Sequence, residues 1–184
     1  DLIGFDVDLA NALAYSMNVK LVIVEMPFAE LLPSLEKGSI DMILSGMTIT
    51  PERNLKALFA GPYTISGKSI LTKSAVLAQA DDAGDVNNKQ YKIVALKGST
   101  SESFVKMVMP DAELILVDRY EEAVDRVLNN QADVMVADYP VCIINAIKYE
   151  SQGLVTLDQP LTNEPIGIAV PAGDIQFHNL VDNY

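Results

Sequence analysis

The residues best suited to chemistry lie in one polar loop, residues 45–53. It reads Ser-Gly-Met-Thr-Ile-Thr-Pro-Glu-Arg and connects a short apolar run to a predicted helix. Backbone N–H groups at such a junction attract anions, and the guanidinium of Arg53 can bind a carboxylate through two parallel hydrogen bonds. The same residues also fit ordinary helix capping, with Thr50 as the cap, Pro51 in the first turn and Arg53 in solvent. The residues alone leave both interpretations open.

The elements around this loop alternate between helix and strand. Apolar residues spaced three and four apart predict helices, and short β-branched runs predict buried strands. In the first half we predict helices at 5–17, at 29–37 and from Pro51, with strands at 20–26 and 40–44. In the second half we predict strands at 92–96, 114–117, 133–137, 154–157 and 165–170, and helices at 101–109, 120–129, 140–149 and from near Gly173. This alternation predicts an α/β fold with largely parallel strands.

Two stretches of the chain, 31–46 and 123–138, share one pattern: a helix, a short polar break, an Asp and an apolar strand. If this likeness is a repeat, the chain holds two similar α/β lobes, each with a loop at the carboxyl end of an equivalent strand. Ligands of open α/β sheets bind at such ends, so a cleft between two lobes is the first place to expect a site. A chance likeness between two helix–strand units is the alternative.

The composition argues against several classes of function. The chain has 184 residues and a formal net charge of −12, which disfavours a nucleic-acid partner because phosphate binding depends on clustered Lys and Arg. One histidine and one cysteine cannot supply a Cys/His zinc site or an internal disulfide. His178 has no triad partner in view, and no phosphate-binding or dinucleotide motif is present. We therefore expect no metal, no cofactor and no nucleophilic catalysis, and we expect Cys142 to be a buried thiol.

Several blocks of sequence together resemble one known family. They are GFDVDLANALA (4–14), the Phe28 loop, GSIDMILSGMTITPER (38–53), GPYTISGKSILTK (61–73), ALKGSTSESF (95–104), ADVMVADYP (132–140) and EPIGIAVPAGD (164–174). In this order they resemble the polar amino-acid-binding proteins of bacterial ABC importers, which have the type II periplasmic-binding-protein fold. The resemblance covers nearly the whole chain.

The resemblance implies a two-lobed α/β fold in which each lobe is a mostly parallel sheet flanked by helices. Lobe I would comprise residues 1–68 and 166–184 and lobe II residues 69–165, with hinge strands near 66–73 and 163–170. The ligand would lie between lobes that close around it. Members of the family begin with a strand ahead of the GFDVDLA helix, so we expect the N-terminal strand of lobe I to be missing from this sequence.

The resemblance also assigns roles to individual residues. Arg53 would pair with the α-carboxylate of an amino acid, and Asp138 would hold its α-ammonium. Phe28 would cover one face of the ligand's side chain. The remaining expected ligand-binding residues would supply hydroxyl or backbone groups: Ser45, Gly46, Thr48, Ser99, Thr100 and Ser101. Without the family, Asp138 and Ser99 are equally well explained as helix caps, and Phe28 as a core aromatic.

The function implied is that of a receptor that binds a polar L-amino acid and delivers it to a membrane permease. We expect a monomer without catalytic residues, periplasmic or otherwise extracytoplasmic, with or without a lipid anchor. One alternative is the amino-acid-sensing domain of a membrane receptor or kinase. A more remote one is an enzyme similar to cyclohexadienyl dehydratases, for which only Asp138 and Lys97 offer acid–base groups. Lys97 could instead gate the cleft or be an ordinary surface lysine.

Overall fold

The computed structural model describes residues 2–79 and 83–184, which divide into two compact units. Unit 1 contains the chain up to Ile65 together with Pro165–Tyr184, and unit 2 is Ser66–Glu164. The lobe limits given above, 1–68 with 166–184 and 69–165, stay a prediction. Among the described residues, no helix is both long enough and apolar enough to cross a membrane.

Unit 1 is mainly helical, with a small sheet. Its elements, in chain order, are α1 (Phe5–Ser16), α2 (Phe28–Glu36), α3 (Pro51–Asn54), most of β1 (Ala57–Ser66), most of β7 (Glu164–Pro171) and α7 (Ile175–Asp182). Strands β1 and β7 form a two-stranded sheet, and isolated bridges join Ile43 to Ala169 and Thr48 to Ile166. Apolar residues of α1 and α2 pack on these strands in two separate clusters.

Two predicted strands of unit 1 are wrong. Residues 20–26 are not assigned to any strand, and 40–44 is reduced to the single bridge at Ile43. Val22 is 70% exposed and Val24 is 52% exposed. A β-branched run favours extended backbone, but a strand exists only where a neighbour pairs with it. Nothing in the described part of unit 1 pairs with residues 20–26.

Unit 2 contains a five-stranded sheet. Its strands are β2 (Lys68–Thr72), β3 (Lys92–Leu96), β4 (Glu113–Val117), β5 (Val134–Asp138) and β6 (Val155–Thr156), in the order β4-β3-β5-β2-β6. The helices are α4 (Thr100–Val108), α5 (Tyr120–Leu128) and α6 (Tyr139–Lys148), with short 3₁₀ helices at Leu77–Gln79, Ala83–Val86 and Glu150–Gln152. Strand β3 is parallel to β4 and β5, whereas β2 is antiparallel to both β5 and β6. The sheet is therefore mixed, and the predicted mostly parallel arrangement is found only in β4, β3 and β5.

The sheet of unit 2 is buried on both faces. Alternate residues of a strand point to opposite faces, and Ile70 and Val134 lie in one apolar cluster while Leu71 and Met135 lie in the other. All four are 0% exposed. The second cluster also contains Cys142 of α6, whose Sγ donates a long hydrogen bond to the carbonyl oxygen of Ala137 at 3.9 Å. Burial, together with the charge of Asp138, raises the pKa of this thiol to about 12.

Candidate functional site

The loop before α3 caps that helix and also contains a buried arginine. Thr50 is the N-cap of α3, and its Oγ1 accepts a hydrogen bond from the Arg53 N–H at 3.2 Å. The capping interpretation is therefore confirmed for Thr50. The expectation that capping leaves Arg53 in solvent is wrong, because this residue is only 8% exposed. Its Nη1 donates to the carbonyl oxygen of Thr48 at 2.7 Å.

An aromatic ring lies beside this guanidinium. The Arg53 Cζ is 5.5 Å from the centroid of the Phe28 ring, within the range of a cation–π contact. Phe28 opens α2, is half-buried and packs on an apolar cluster of unit 1. Phe28 thus packs against the apolar core of unit 1 and also contacts Arg53. The structure brings together three predicted residues of unit 1: Phe28, Thr48 and Arg53.

Gly46 of this loop is bonded to a carboxylate, that of Asp6, for which the sequence predicts no role in the site. The Gly46 N–H donates to Asp6 Oδ2 at 2.9 Å, and the hydroxyl of Tyr63 donates to Asp6 Oδ1 at 2.8 Å. Gly46 has φ +60°, a left-handed conformation that glycine adopts readily. Ser45 beside it is exposed. Asp6 in the first turn of α1 could be predicted to favour a helix start, but no local signal connects it to residue 46.

In unit 2, the turn before α4 is built largely for the helix itself. Ser99 is the N-cap of α4: its Oγ accepts from the Glu102 N–H at 3.3 Å and donates to the Leu96 carbonyl oxygen at 2.6 Å. Ser101 is 1% exposed, and its hydroxyl has no hydrogen-bond partner among the described residues. The capping interpretation of Ser99 is therefore confirmed. The hydroxyl of Thr100 does not cap the helix but bonds a carboxylate.

Thr100 leads to a cluster of charged side chains at the ends of three strands. Its Oγ1 donates to Glu164 Oε2 at 3.0 Å, and the same oxygen pairs with Lys68 Nζ at 2.9 Å. Lys68 Nζ also pairs with Asp138 Oδ1 at 2.5 Å. Asp138 is at the N-cap position of α6 but makes no side-chain capping bond. The structure thus connects the predicted Thr100 and Asp138 through Lys68 and Glu164.

Lys68 and Glu164 were not predicted as members of the candidate site. Lys68 is 0% exposed in an otherwise fully buried strand, and the side chain of Glu164 is 15% exposed. A lysine in a buried strand is itself a signal, because buried charges are almost always paired. The partner could not be predicted, since Asp138 lies 70 residues away in sequence.

A further charged pair, Glu102 with Lys106, lies in α4 after the same turn. Burial of Glu102 disfavours its charged form. Hydrogen bonds from the Lys106 Nζ and the Gly98 N–H, with the charges of Lys106 and Lys97, outweigh this and lower the pKa of Glu102. Lys97 is exposed. Among the described residues, no group of three or more His, Cys, Asp or Glu side chains is placed to hold a metal ion.

Comparison with known proteins shows which family the chain resembles. The model of the bacterial extracellular solute-binding proteins, family 3, matches residues 1–183. The ABC transporter glutamine-binding protein GlnH of Bacillus subtilis is 32% identical over 178 residues, which cover 92% of this chain and 62% of the relative. The chain thus spans about three fifths of the length of such curated relatives.

One solved structure and one enzyme are also similar to this chain. The solved structure of an ancestral arginine-binding protein bound to arginine is 30% identical, with a TM-score of 0.90 over 100% of this chain and 80% of that one. A cyclohexadienyl dehydratase of Pseudomonas aeruginosa is 27% identical over 135 residues, which cover 73% of this chain and 50% of the enzyme. The predicted fold class, an α/β periplasmic-binding-protein fold of two lobes, is confirmed. The chain belongs to the bacterial extracellular solute-binding proteins of family 3.

Proposed function

We propose that this protein binds a free, polar L-amino acid and presents it to the permease of an ABC importer. The observation that carries the proposal is the buried Arg53 guanidinium, which the Thr48 carbonyl and the Phe28 ring hold in place. A fixed, planar cation of this kind fits a carboxylate through two parallel hydrogen bonds. Relatives named for binding glutamine and arginine support the same ligand class.

Each charge of the amino acid would be matched by an opposite charge. Arg53 would pair with the α-carboxylate, assisted by Thr48, and the unit 2 carboxylate of Asp138 would pair with the α-ammonium. Phe28 would cover part of the ligand's side chain. A zwitterion that leaves water loses the hydration of both charges, so binding is favourable only when both are paired. Hydroxyl or backbone groups of Ser45, Gly46, Ser99, Thr100 and Ser101 are assigned supporting roles.

The place of action follows from the family. Family 3 consists of extracellular solute-binding proteins. We assign this chain to the periplasm or another extracytoplasmic location, as a monomer that contacts a membrane permease. A lipid anchor would be compatible with the same role.

Calorimetric titration against the twenty amino acids tests the proposal. We expect saturable heat with one or a few polar amino acids at neutral pH. The amide of the tightest-binding amino acid, which lacks the carboxylate, should bind at least about tenfold more weakly because Arg53 loses its partner. A protein that is folded by circular dichroism yet gives no saturable heat with any amino acid would rule the proposal out.

One observation favours a second candidate, an enzyme related to the cyclohexadienyl dehydratases. Lys68, which is buried, and Glu164, which is 15% exposed, add two ionisable groups to Asp138, and such groups can act as general acids or bases. A dehydratase is also among the relatives. An assay with prephenate and with arogenate distinguishes the candidates, because turnover of either substrate would favour the enzyme and its absence, with saturable amino-acid binding, the receptor.

A further inference from the structure

In unit 2, Lys68, Asp138 and Glu164 form an ion cluster in which one cation pairs with two anions. One ammonium group, that of Lys68, lies within salt-bridge distance of two carboxylates, Asp138 at 2.5 Å and Glu164 at 2.9 Å. The lysine side chain is 0% exposed, and those of the two acids are 16% and 15% exposed. Interactions among such groups are weakly screened by salt, so each charge strongly affects the others.

Glu164 is held firmly in this position. Its Oε2 accepts from Thr100 as well as from Lys68, and its Oε1 accepts from the Thr162 hydroxyl at 3.0 Å. The Thr162 Oγ1 also accepts from the Lys68 backbone N–H at 2.8 Å. The carboxylate of Glu164 is therefore part of a built arrangement that includes strand β2, the start of α4 and the start of β7.

The shared lysine determines how much negative charge Asp138 can offer. A lysine paired with Asp138 alone would neutralise that carboxylate and leave little attraction for a second cation. Glu164 takes part of the attraction of Lys68, and the formal charge of one lysine and two carboxylates is −1. This net charge of −1 balances the charge of +1 on an α-ammonium.

We propose that Glu164 is a positioning residue for ammonium recognition, which acts through Lys68 to keep Asp138 attractive to the ligand's α-ammonium. This inference rests on the proposed function, in which Asp138 binds that ammonium. It adds that the charge balance of Lys68, Asp138 and Glu164, more than the shape of any one of them, sets the preference for a ligand with an amino group.

Two variants separate charge from shape. Glu164→Gln preserves the size of the side chain and one of its two accepting oxygens, but it brings the formal charge of the three side chains to zero. The double variant Lys68→Met with Glu164→Gln returns that charge to −1. The probes are the amino acid that binds the parent most tightly and its 2-hydroxy-acid analogue, in which a hydroxyl replaces the ammonium.

We expect Glu164→Gln to bind the amino acid at least about tenfold more weakly, because the ammonium then enters a neutral cluster. Binding of the 2-hydroxy acid should change by less than about threefold, since it carries no ammonium. The double variant should recover most of the lost affinity for the amino acid. The ratio of the two affinities is the decisive quantity, because a merely structural defect would weaken both probes alike.

Glu113→Gln is the matched control, since Glu113 is exposed on β4, three strands away from β2 in the sheet. It should bind both probes as the parent does. If the parent binds no amino acid, the proposed function fails. If the parent binds and Glu164→Gln binds equally well, or if the double variant is as weak as Glu164→Gln, the inference about Glu164 is overturned while the proposed function stands. Should Glu164→Gln not fold, Glu164→Asp keeps the charge and is expected to retain the parent's ratio of affinities, and loss of that ratio would overturn the inference.

Discussion

Unit 1 holds its candidate binding groups by directional hydrogen bonds around a loop, whereas unit 2 holds them by an ion cluster at the end of a five-stranded sheet. In unit 1, Asp6 fixes Gly46 and Tyr63, and the Thr48 carbonyl and Phe28 fix Arg53. In unit 2, the fully buried Lys68 is shared by Asp138 and Glu164. The two units also differ beneath these groups, because unit 1 has a two-stranded sheet and unit 2 a sheet covered on both faces.

This difference indicates which interactions the candidate binding groups of each unit depend on. A loop that is held by hydrogen bonds loses its geometry when one acceptor is removed, since each bond has a specific direction. A shared ion cluster responds chiefly to its total charge, because electrostatic attraction depends weakly on exact orientation. We therefore expect substitutions in unit 1 to act through structure and those in the unit 2 cluster to act through charge.

The largest expected effect is a loss of stability, and it should differ between two isoleucines. Ile70 is 0% exposed in β2, and Ile23 is 46% exposed in the unpaired segment 20–26. Ile70→Ala should lower the free energy of unfolding by about 2–5 kcal/mol, because it removes buried apolar contacts and leaves a cavity. Ile23→Ala should cost less than about 1 kcal/mol. Urea denaturation followed by circular dichroism measures both, and equal losses would show that the two segments are packed alike.

Removal of the Asp6 carboxylate should have the next largest effect. Asp6→Ala leaves the Gly46 N–H and the Tyr63 hydroxyl without this acceptor, and hydrogen bonds to a charged group contribute about 1.5–3 kcal/mol. We expect a loss of that size in the stability of unit 1, together with faster hydrogen exchange at the Gly46 amide. Asp8→Ala is the control, because Asp8 is an exposed acid in the same first turn of α1. Similar behaviour of the two variants would contradict the role of Asp6.

A conservative change at Arg53 tests whether the fixed guanidinium matters. Arg53→Lys keeps the positive charge but loses the planar donor that bonds the Thr48 carbonyl and stacks on Phe28. We expect affinity for the amino acid to fall about tenfold, equivalent to about 1.4 kcal/mol. Arg119→Lys, at a side chain that is 71% exposed in unit 2, should leave affinity unchanged. Retained affinity in Arg53→Lys would show that charge alone suffices in unit 1 as well.

The smallest effect concerns pH and the turn before α4. Because the folded-state pKa of Glu102 is lowered, its charge stabilises the fold above its usual pKa near 4.3, and this contribution is lost as pH falls through the lower folded value. Glu102→Gln should therefore be less stable than the parent at pH 7 by under about 1 kcal/mol, and the difference should shrink towards pH 3. Glu121→Gln serves as the exposed control in urea titrations. A difference that grows on acidification would contradict the sign.

Much of the fold was predictable because helix and strand periodicities are local. Strand 92–96 was predicted with the bounds that β3 has, and the helices α4, α5 and α6 lie within a residue of their predicted ranges. Strand β1 was not predicted, because Gly61 and Pro62 interrupt its sequence as a turn would. Strand 20–26 was overpredicted, since composition reports the preference for extended backbone and not the presence of a partner.

The site was predictable only where a residue has a recognisable motif. Arg53, Phe28 and Thr48 lie in or near blocks with a distinctive spacing, and the structure brings them together, although their roles toward a ligand stay predictions. Asp6, Lys68 and Glu164 act through side chains far away in the sequence, so their partners follow from topology and not from spacing. Of these three residues, Lys68 gave the clearest signal in the sequence, because it is a charged residue within a buried strand.

The buried thiol of Cys142 gives this protein a practical property. Its pKa of about 12 leaves almost none of it as thiolate at neutral pH, and its side chain is out of contact with solvent. A reagent that modifies thiols should therefore pass over the native cysteine and attach to any cysteine introduced at the surface. The chain also lacks tryptophan, so one dye or one indole could be placed in either unit and would report on that unit alone.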